Sequence, residues 1–362
     1  MFEIFNKKKV LITGHTGFKG SWLAQWLIMM KANVYGIGLQ PFTNPSHFEK
    51  LGLKNKLTNH FIDIRNFKKL SSTINDIAPD FIFHLAAQSL VGKAYENSLE
   101  TYQTNFIGTL NLLESLKKFK KKCVTILITS DKCYENKEWI WGYKETDDLG
   151  GIDPYSASKG ASEIMIRSQI KSFFPKIGNI KIAIGRAGNV IGGGDWSEKR
   201  IIPDAIKAWS ENKPLALRNP LATRPWQHVL EPLSGYLQLA KLLKNNNDLH
   251  GEAFNFGPPQ DQNYPVENLI EEMSMHWENV KWQVIDKNKE KYYESGLLKL
   301  NCDKALTYLS WRPTLNFYET VKFTTEWYKS YYSEPSLKKI ITKEQIYKYI
   351  ELTKKKKFSD KH

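Results

Sequence analysis

The segment VLITGHTGFKG at residues 10–20 runs from a short apolar stretch directly into a glycine-rich turn. Its first four residues are typical of a buried β-strand, and Trp22, Leu23, Trp26 and Leu27 follow at helical spacing. Glycine permits a tight strand-to-helix turn and lets the backbone approach a pyrophosphate, whose charge is favoured by the free amides of a helix N-terminus. A glycine triplet alone is weak evidence, but this strand, turn and helix together predict dinucleotide binding.

The chain around this segment alternates apolar strands with helical patterns, which predicts an α/β fold built on a Rossmann-type, doubly wound parallel sheet. We predict strands at 10–13, 34–39, 81–85, 124–129 and 180–185, and a long helix at about 99–118. Beyond residue 186 the pattern becomes irregular. We therefore expect a dinucleotide-binding domain at 1–186, rejoined by a strand near 253–257, and a smaller C-terminal substrate-binding lobe that makes up most of 187–330.

Composition and charge favour a soluble enzyme of the cytoplasm. The 362 residues are 41% hydrophobic and 25% charged, and no apolar run is long enough for a membrane span or a secretory signal. Cys123, Cys133 and Cys302 are isolated, which fits free thiols, and no metal-binding motif occurs. The net charge of +14 would suit nucleic acid or a membrane, but residues 335–362 hold nine Lys against three acidic residues. We interpret this segment as a solvated helix and tail, without a nucleic-acid or membrane partner.

Tyr155 and Lys159 place a phenol and an amine on neighbouring turns of one predicted helix face. A free phenol has a pKa of about 10, and a nearby ammonium group favours its ionised form. Such a Tyr can remove a proton from a sugar hydroxyl while a hydride leaves for the cofactor. The pair alone is common in helices, but it gains weight here because it accompanies the glycine turn and a strand that ends before Ser130.

Several segments together resemble the extended short-chain dehydrogenases/reductases that act on nucleotide sugars. They are GHTGFKG at 14–20, HLAAQ at 84–88, TNFIGT at 104–109, SDK at 130–132 and YSASK at 155–159. Longer segments, SDKCYEN at 130–136, GNVIGGGDW at 188–196 and RPWQHV at 224–229, resemble the branch that dehydrates CDP-glucose. The resemblance covers roughly residues 8–330 and does not include the lysine-rich segment.

The resemblance implies NAD as the cofactor. The end of the second strand, at 38–40, offers neither an acid for the ribose hydroxyls nor an Arg for a 2′-phosphate, and NAD is the better match. His15 either contacts the cofactor or is an exposed turn residue, and Asp63 either caps the adenine or lies in a surface turn. The expected cofactor-binding residues are Gly14, His15, Thr16, Gly17, Phe18, Lys19, Gly20, Asp63, Ile64, Leu85, Ala86, Ala87, Asn105, Tyr155 and Lys159.

The resemblance also assigns roles at 130–132 in a 4,6-dehydration. Ser130 would bind the C4 oxygen, Asp131 would be the general acid at the C6 hydroxyl if burial keeps it protonated, and Lys132 would be the base at C5. The dTDP-glucose enzymes carry Glu at the last position, so Lys132 favours the CDP-glucose branch. Related epimerases need no such acid and base. The alternative is that Asp131 and Lys132 form a surface ion pair after the strand.

The substrate expected from the resemblance is a CDP-sugar, bound without a metal. Asn189 and Arg224 would hold its diphosphate, with Arg200, Arg186 and Arg218 as weaker candidates. An aromatic cluster at 139–143 either walls the sugar site or packs in a subunit contact. The resemblance further implies synthesis of bacterial surface-polysaccharide precursors and a homodimer or homotetramer that pairs helices at 99–118 and 157–173.

Overall fold

The computed structural model describes residues 3–217, 219–278, 280–285, 296–332 and 340–359. In chain order its strands are β1 Lys9–Thr13, β2 Asn33–Gly38, β3 Thr58–Phe61, β4 Phe81–His84, β5 Cys123–Ile128, β6 Ile180–Ala187, β7 Val190–Ile191, β8 Leu215–Leu217, β9 Thr223–Arg224, β10 Gln227–His228, β11 Ala253–Phe256, β12 Tyr264–Pro265 and β13 Trp282–Val284. Its α-helices are α1 Phe18–Met29, α2 His47–Lys50, α3 Phe67–Ile77, α4 Val91–Glu96, α5 Ser98–Tyr102, α6 Gly108–Lys117, α7 Pro154–Phe173, α8 Ile201–Ser210, α9 Leu230–Leu243, α10 Val266–Ser274, α11 Asp303–Leu309, α12 Phe317–Tyr332 and α13 Thr342–Ser359.

Seven parallel strands form the central sheet in the order β11-β6-β5-β4-β1-β2-β3. Strand β1 lies inside the sheet, and Val10, Leu11 and Ile12 are fully buried, as an apolar run covered on both faces requires. The chain builds β2 and β3 on one side of β1 and then places β4 on the other. This reversal opens a crevice at the carboxyl ends of the strands and confirms the predicted fold class.

Helices cover both faces of the sheet. Leu11 points into one apolar core with side chains of α3, α6 and α7, whereas Val10 and Ile12 point into the other with side chains of α1 and α9. The predicted strands all form, and Ala253–Phe256 pairs in parallel with β6. Strand β3 was not predicted, because its Thr-Asn-His-Phe sequence has no apolar run and it lies half-exposed at the sheet edge.

The helix predicted at about 99–118 is interrupted by one π-helical turn. Helix α5 leads into this turn at Gln103–Ile107, and α6 continues to Lys117. The chain then passes very close to its neighbours, because a Cβ at Gly108 would lie 2.5 Å from Ile64 Cδ1. Such a bulge points the buried Asn105 side chain towards the loop after β4.

The region beyond residue 186 contributes to both parts of the molecule. Helix α9 packs on the sheet through the fully buried Leu233, Tyr236 and Leu237, and β11 extends the sheet itself. The short strand pairs β7–β10, β8–β13 and β9–β12 instead lie outside the central sheet. The boundary expected near 186 therefore separates only part of the later chain from the dinucleotide-binding fold.

The C-terminal segment forms the helix that was expected there, but one face of this helix is buried and not solvated. Ile346 and Tyr349 of α13 are fully buried, and the Tyr349 hydroxyl donates to the carboxylate of Glu231 at 2.8 Å. At the start of α13, Thr342 Oγ1 lies 2.9 Å from His47 Nε2. Exposed lysines occupy the other face, so composition alone concealed an amphipathic helix. In the described part of the chain, every helix is too short or too polar to span a membrane.

Candidate active site

A cavity of about 1140 Å³ lies at the carboxyl ends of the central strands. The glycine turn forms one wall. Gly14 has φ of +75°, and a Cβ there would lie 2.7 Å from the backbone nitrogen of Ala86. A Cβ at Gly20 would lie 2.1 Å from the carbonyl oxygen of Gly14. Only glycine allows the turn to pack this tightly, and the resulting cradle at the start of α1 fits a dinucleotide pyrophosphate.

The His15 side chain is buried and turned away from the cavity. A Cβ at Gly36 would lie 2.3 Å from the His15 ring, and the ring Nε2 lies 3.0 Å from Asn59 Oδ1. Burial lowers its pKa. The imidazole lies inside the fold because Gly36 leaves room for it, so it is neither an exposed turn residue nor a side chain that faces the cofactor cavity.

The outer end of the cavity contains residues expected near the adenosine of a cofactor. Leu39, Gln40, Asp63 and Ile64 line it, and Thr16 Oγ1 donates to the carbonyl oxygen of Leu39 at 2.9 Å. The Asp63 carboxylate accepts four hydrogen bonds from Arg65, one from the backbone nitrogen at 2.8 Å and three from the guanidinium at 3.0, 2.9 and 2.6 Å. Partial burial opposes ionisation, but these bonds hold the pKa of Asp63 below its usual range. Asp63 therefore faces the cavity with its charge already paired.

The loop after β4 forms the next part of the wall. Leu85, Ala86 and Ala87 line the cavity, whereas Asn105 lies behind them. The Asn105 amide accepts from the backbone nitrogen of Gln88 at 2.8 Å and donates to Ser158 Oγ at 2.9 Å. Asn105 thus supports the loop from behind, because the π-helical turn directs this side chain between the loop and α7, and its expected contact with the cofactor stays a prediction.

Tyr155 and Lys159 lie on the cavity wall in the first turns of α7. Asp153 caps this helix by accepting the backbone amides of Tyr155 and Ser156, at 2.9 and 3.0 Å. Burial raises the pKa of Tyr155 to about 12, although a hydrogen bond with the Ser130 side chain opposes the shift. Burial lowers the pKa of Lys159 to about 8. Without a further positive charge nearby, Tyr155 is a neutral phenol at neutral pH.

The Ser130–Lys132 segment follows β5 and turns into a short 3₁₀ helix. Ser130 and Lys132 line the cavity, but Asp131 lies behind them, and its side chain is only 5% exposed. Ser130 Oγ donates to Asp131 Oδ1 at 2.9 Å. A Cβ at Gly188 would lie 2.9 Å from Asp131 Oδ2, so this carboxyl is covered by backbone. Burial raises its pKa, which favours the protonated form, and a surface ion pair between Asp131 and Lys132 is ruled out.

The expected diphosphate ligands belong to the same cavity as the glycine turn. Asn189, Arg200 and Arg224 all line it. Asp195 Oδ2 accepts from Arg200 Nη1 at 3.1 Å, and the carbonyl oxygen of Thr223 accepts from Arg224 Nη1 at 2.8 Å. These contacts orient two guanidinium groups on the cavity wall, as an anionic substrate requires.

Arg186 and the aromatic cluster at 139–143 do not line the cavity. Arg186 is fully buried against Glu163, with Nε 2.9 Å from Glu163 Oε1, and is not available to a substrate. Arg218 lies outside the described residues. Trp139 and Tyr143 stack with ring centroids 5.3 Å apart, and this cluster is absent from the described residues that line the cavity. Within the described chain, no group of His, Cys, Asp and Glu is arranged to hold a metal ion.

Sequence analysis missed Thr129 and Glu163. Thr129 lies at the cavity, and its hydroxyl donates to the buried carboxylate of Glu163 at 2.5 Å. Glu163 is four residues beyond Lys159, which repeats the spacing between Tyr155 and Lys159. That helical spacing was the available signal, but the partner Thr129, directly after β5, is visible only in three dimensions.

The fold and this site define a nucleotide-sugar-modifying member of the short-chain dehydrogenase/reductase class. The family model described as GDP-mannose 4,6 dehydratase matches residues 11–324, and the chain belongs to that family. It is 42% identical to the CDP-glucose 4,6-dehydratase of Salmonella typhimurium over 96% of this chain and 97% of that protein. A UDP-glucose 4-epimerase from Mycoplasma pneumoniae is 25% identical over 90% of this chain and 98% of its own length.

Solved structures share the fold. A dTDP-glucose 4,6-dehydratase from Bacillus anthracis, solved in complex with NAD, matches with a TM-score of 0.73 and 20% identity, over 89% of this chain and 97% of that one. A UDP-glucuronic acid 4-epimerase from Bacillus cereus, solved with UDP-glucuronic acid and NAD, matches with a TM-score of 0.74 and 24% identity, over 89% and 99%. At these identities the likeness concerns the fold.

Proposed function

We propose that this protein is a hydro-lyase that converts CDP-glucose to CDP-4-keto-6-deoxyglucose with bound NAD. The observation that carries the proposal is the joint presence of Ser130, Lys132, Tyr155 and Lys159 on the wall of one cavity that also contains the glycine turn. The 42% identity with a CDP-glucose 4,6-dehydratase along nearly the whole chain supports the same substrate.

NAD fits the cradle at residues 14–20 and the wall that continues through Ile64, Ala86 and Ala87. The exposed amides at the start of α1 would hold its pyrophosphate. When bound, NAD would supply a transient store for the hydride that leaves C4 and returns to C6. The ketone formed at C4 in the meantime would make the C5 proton acidic.

Tyr155 would remove the proton from the C4 hydroxyl, and Ser130 would donate a hydrogen bond to the C4 oxygen. The raised pKa of Tyr155 means that the phenolate needs a positive neighbour, and Lys159 lies with its Nζ 6.0 Å from the centre of the Tyr155 ring. A lysine whose pKa is about 8 is still largely protonated at neutral pH and stabilises that phenolate.

Elimination of water needs one group that removes the C5 proton and one that protonates the leaving C6 hydroxyl. We assign the base to Lys132, whose side chain lines the cavity, and the acid to Asp131. Burial supports the second assignment, since it favours the protonated carboxyl that an acid must offer. Its place behind Ser130 implies that the sugar must enter deeply or that the Asp131 side chain must rotate towards it.

The substrate diphosphate would lie between Asn189, Arg200 and Arg224. Arg224 can approach two phosphate oxygens as a planar fork, and Arg200 is oriented by the buried Asp195.

The protein is expected to act in the cytoplasm as a homodimer or homotetramer. Leu99 and Ile107 on one helical stretch and Ile164 and Phe173 on α7 are large apolar side chains, each at least 41% exposed. A second copy of the chain would cover these surfaces. Light scattering coupled to size-exclusion chromatography tests this expectation, and a monomer at micromolar concentration would contradict it.

The alternative is an epimerase or a 4,6-dehydratase for another nucleotide sugar. Incubation with CDP-glucose, dTDP-glucose, GDP-mannose and UDP-N-acetylglucosamine, followed by the chromophore that 4-keto products form in alkali, separates these activities. We expect product from CDP-glucose. Deuterium at C4 of that substrate should reappear in the C6 methyl group, and exchange of the label into solvent would contradict the proposed internal return of the hydride.

A further inference from the structure

The Ser130–Lys132 segment and the Tyr155–Lys159 pair belong to different elements, yet the proposed reaction needs them in a fixed relative position. The segment is a short turn after β5, and the pair lies on α7. Thr129, directly before the turn, donates from Oγ1 to Glu163 Oε1 at 2.5 Å. This bond joins the two elements one residue from Ser130 and one helical turn from Lys159.

Glu163 is held rigidly at its end of that bond. Its carboxylate is fully buried and binds Arg186 of β6 in a bidentate arrangement, with Nε–Oε1 and Nη2–Oε2 distances of 2.9 Å. Burial alone would disfavour both charges, but the ion pair outweighs it, so the pKa of Glu163 stays below and that of Arg186 above the ordinary value. A carboxylate fixed in this way holds the Thr129 hydroxyl in one position.

The same network holds the far side of the turn. Arg186 Nη1 donates to the Tyr134 hydroxyl at 2.6 Å, and that hydroxyl donates to Asn255 Oδ1 on β11 at 2.8 Å. Tyr134 directly follows Asp131–Cys133, the short 3₁₀ helix that continues the turn. The catalytic turn is therefore fastened at both ends, by Thr129 and Tyr134, to one buried pair that spans α7 and β6.

We infer that Thr129 is a positioning residue, which sets the place of Ser130 and Lys132 relative to Tyr155 and Lys159 through its hydrogen bond to the Glu163–Arg186 pair. Thr129 has its own role here because its hydroxyl joins the start of the turn to the buried ion pair, whereas the ion pair itself joins α7 to β6. The catalytic consequence rests on the proposed function, but the structural link does not.

Thr129→Val removes the hydroxyl, nearly preserves the shape of the side chain and leaves the ion pair intact. The matched control is Thr125→Val on β5, the strand that ends directly before Thr129. Thr125 is also buried, but the partner of its hydroxyl is Cys123 Sγ, at 3.8 Å, and not α7. Thr129→Ser keeps the hydroxyl and serves as the conservative rescue.

With NAD-loaded, full-length protein and CDP-glucose, we expect kcat of Thr129→Val to fall by about 10-fold relative to Thr125→Val, because a small displacement of reacting groups is costly. KM should stay within about twofold, since Thr129 is not one of the proposed diphosphate ligands, and Thr129→Ser should restore most of kcat. Equal kcat in the two valine variants, or a loss that serine does not rescue, would overturn the inference.

Hydrogen–deuterium exchange of the same NAD-loaded proteins provides a readout that is independent of the substrate. Amides at 130–134 should exchange about 10-fold faster in Thr129→Val than in Thr125→Val. Equal exchange would refute the link even if CDP-glucose is turned over. Failure of the parent protein to turn over CDP-glucose would instead contradict the proposed function. In that case the exchange result would still test the link between Thr129 and Glu163.

Discussion

Replacing Asp131 with Asn tests the proposed acid directly. Asn has the same size and can still accept the hydrogen bond that Ser130 Oγ makes at 2.9 Å, but it has no proton to transfer at neutral pH. General acid catalysis contributes about 100-fold to 10,000-fold. We expect Asp131→Asn to lower the rate of elimination by at least about 100-fold, which corresponds to about 2.7 kcal/mol in the activation free energy.

The fold should tolerate this change. Burial raises the pKa of Asp131, so the folded state must accept an unfavourable buried charge when the pH rises through that pKa. Asn removes this cost. The unfolding temperature of Asp131→Asn should therefore equal that of the parent at acidic pH and equal or exceed it at alkaline pH. A variant that is inactive because it is misfolded would instead have a lower unfolding temperature.

The assay separates oxidation from elimination. In a single turnover with NAD-loaded enzyme and CDP-glucose, Asp131→Asn should build up the near-ultraviolet absorbance of reduced nicotinamide, because the C4 oxidation continues while water loss is blocked. In the parent, elimination should slow as the pH rises through the raised pKa of Asp131. Asp148→Asn is the matched control, since Asp148 is exposed and only pairs with Lys137 at 3.3 Å. Equal turnover by Asp131→Asn and Asp148→Asn would refute the role of Asp131 as the acid.

Three further outcomes follow from the site and the core. Lys132→Met should lower elimination at least about 100-fold while NAD stays bound, with the exposed Lys137→Met as control and product analysis as the measurement. The difference in phenolate absorbance between the parent and Tyr155→Phe reports the ionisation of Tyr155. Its midpoint should lie near the pKa of about 12 without NAD and at lower pH with NAD bound. The same midpoint with and without NAD would contradict the need for a positive neighbour. Burial raises the pKa of Glu231 to about 7. The neutral carboxyl therefore contributes its full stabilisation only below the pKa of Glu231 in the unfolded chain. This contribution falls by up to about 3 kcal/mol as the pH rises through 7. Thermal unfolding of the parent between pH 5 and 8 should show this slope, and Glu231→Gln should flatten it.

Local spacing allowed much of the fold to be predicted. Apolar runs marked β1, β2, β4, β5 and β6, because a strand covered on both faces must be apolar along its length. The edge strand β3 escaped detection for the same reason, since a half-exposed strand carries no such run. A helix was predicted in the region of α13, but its burial was not, because nine lysines dominate the composition there although the apolar residues recur on one buried face.

The sequence by itself determined the strand-turn-helix at 14–20 and the common helix face of Tyr155 and Lys159, because both depend on spacings of a few residues. Only the tertiary structure decided that His15 fills the space over Gly36, that Asp131 lies behind Ser130, and that Arg186 pairs with Glu163 rather than with substrate. These outcomes depend on burial and on partners brought together from distant parts of the chain. Desolvation and close packing are properties of the assembled fold, and they set the charge and direction of each side chain at the site.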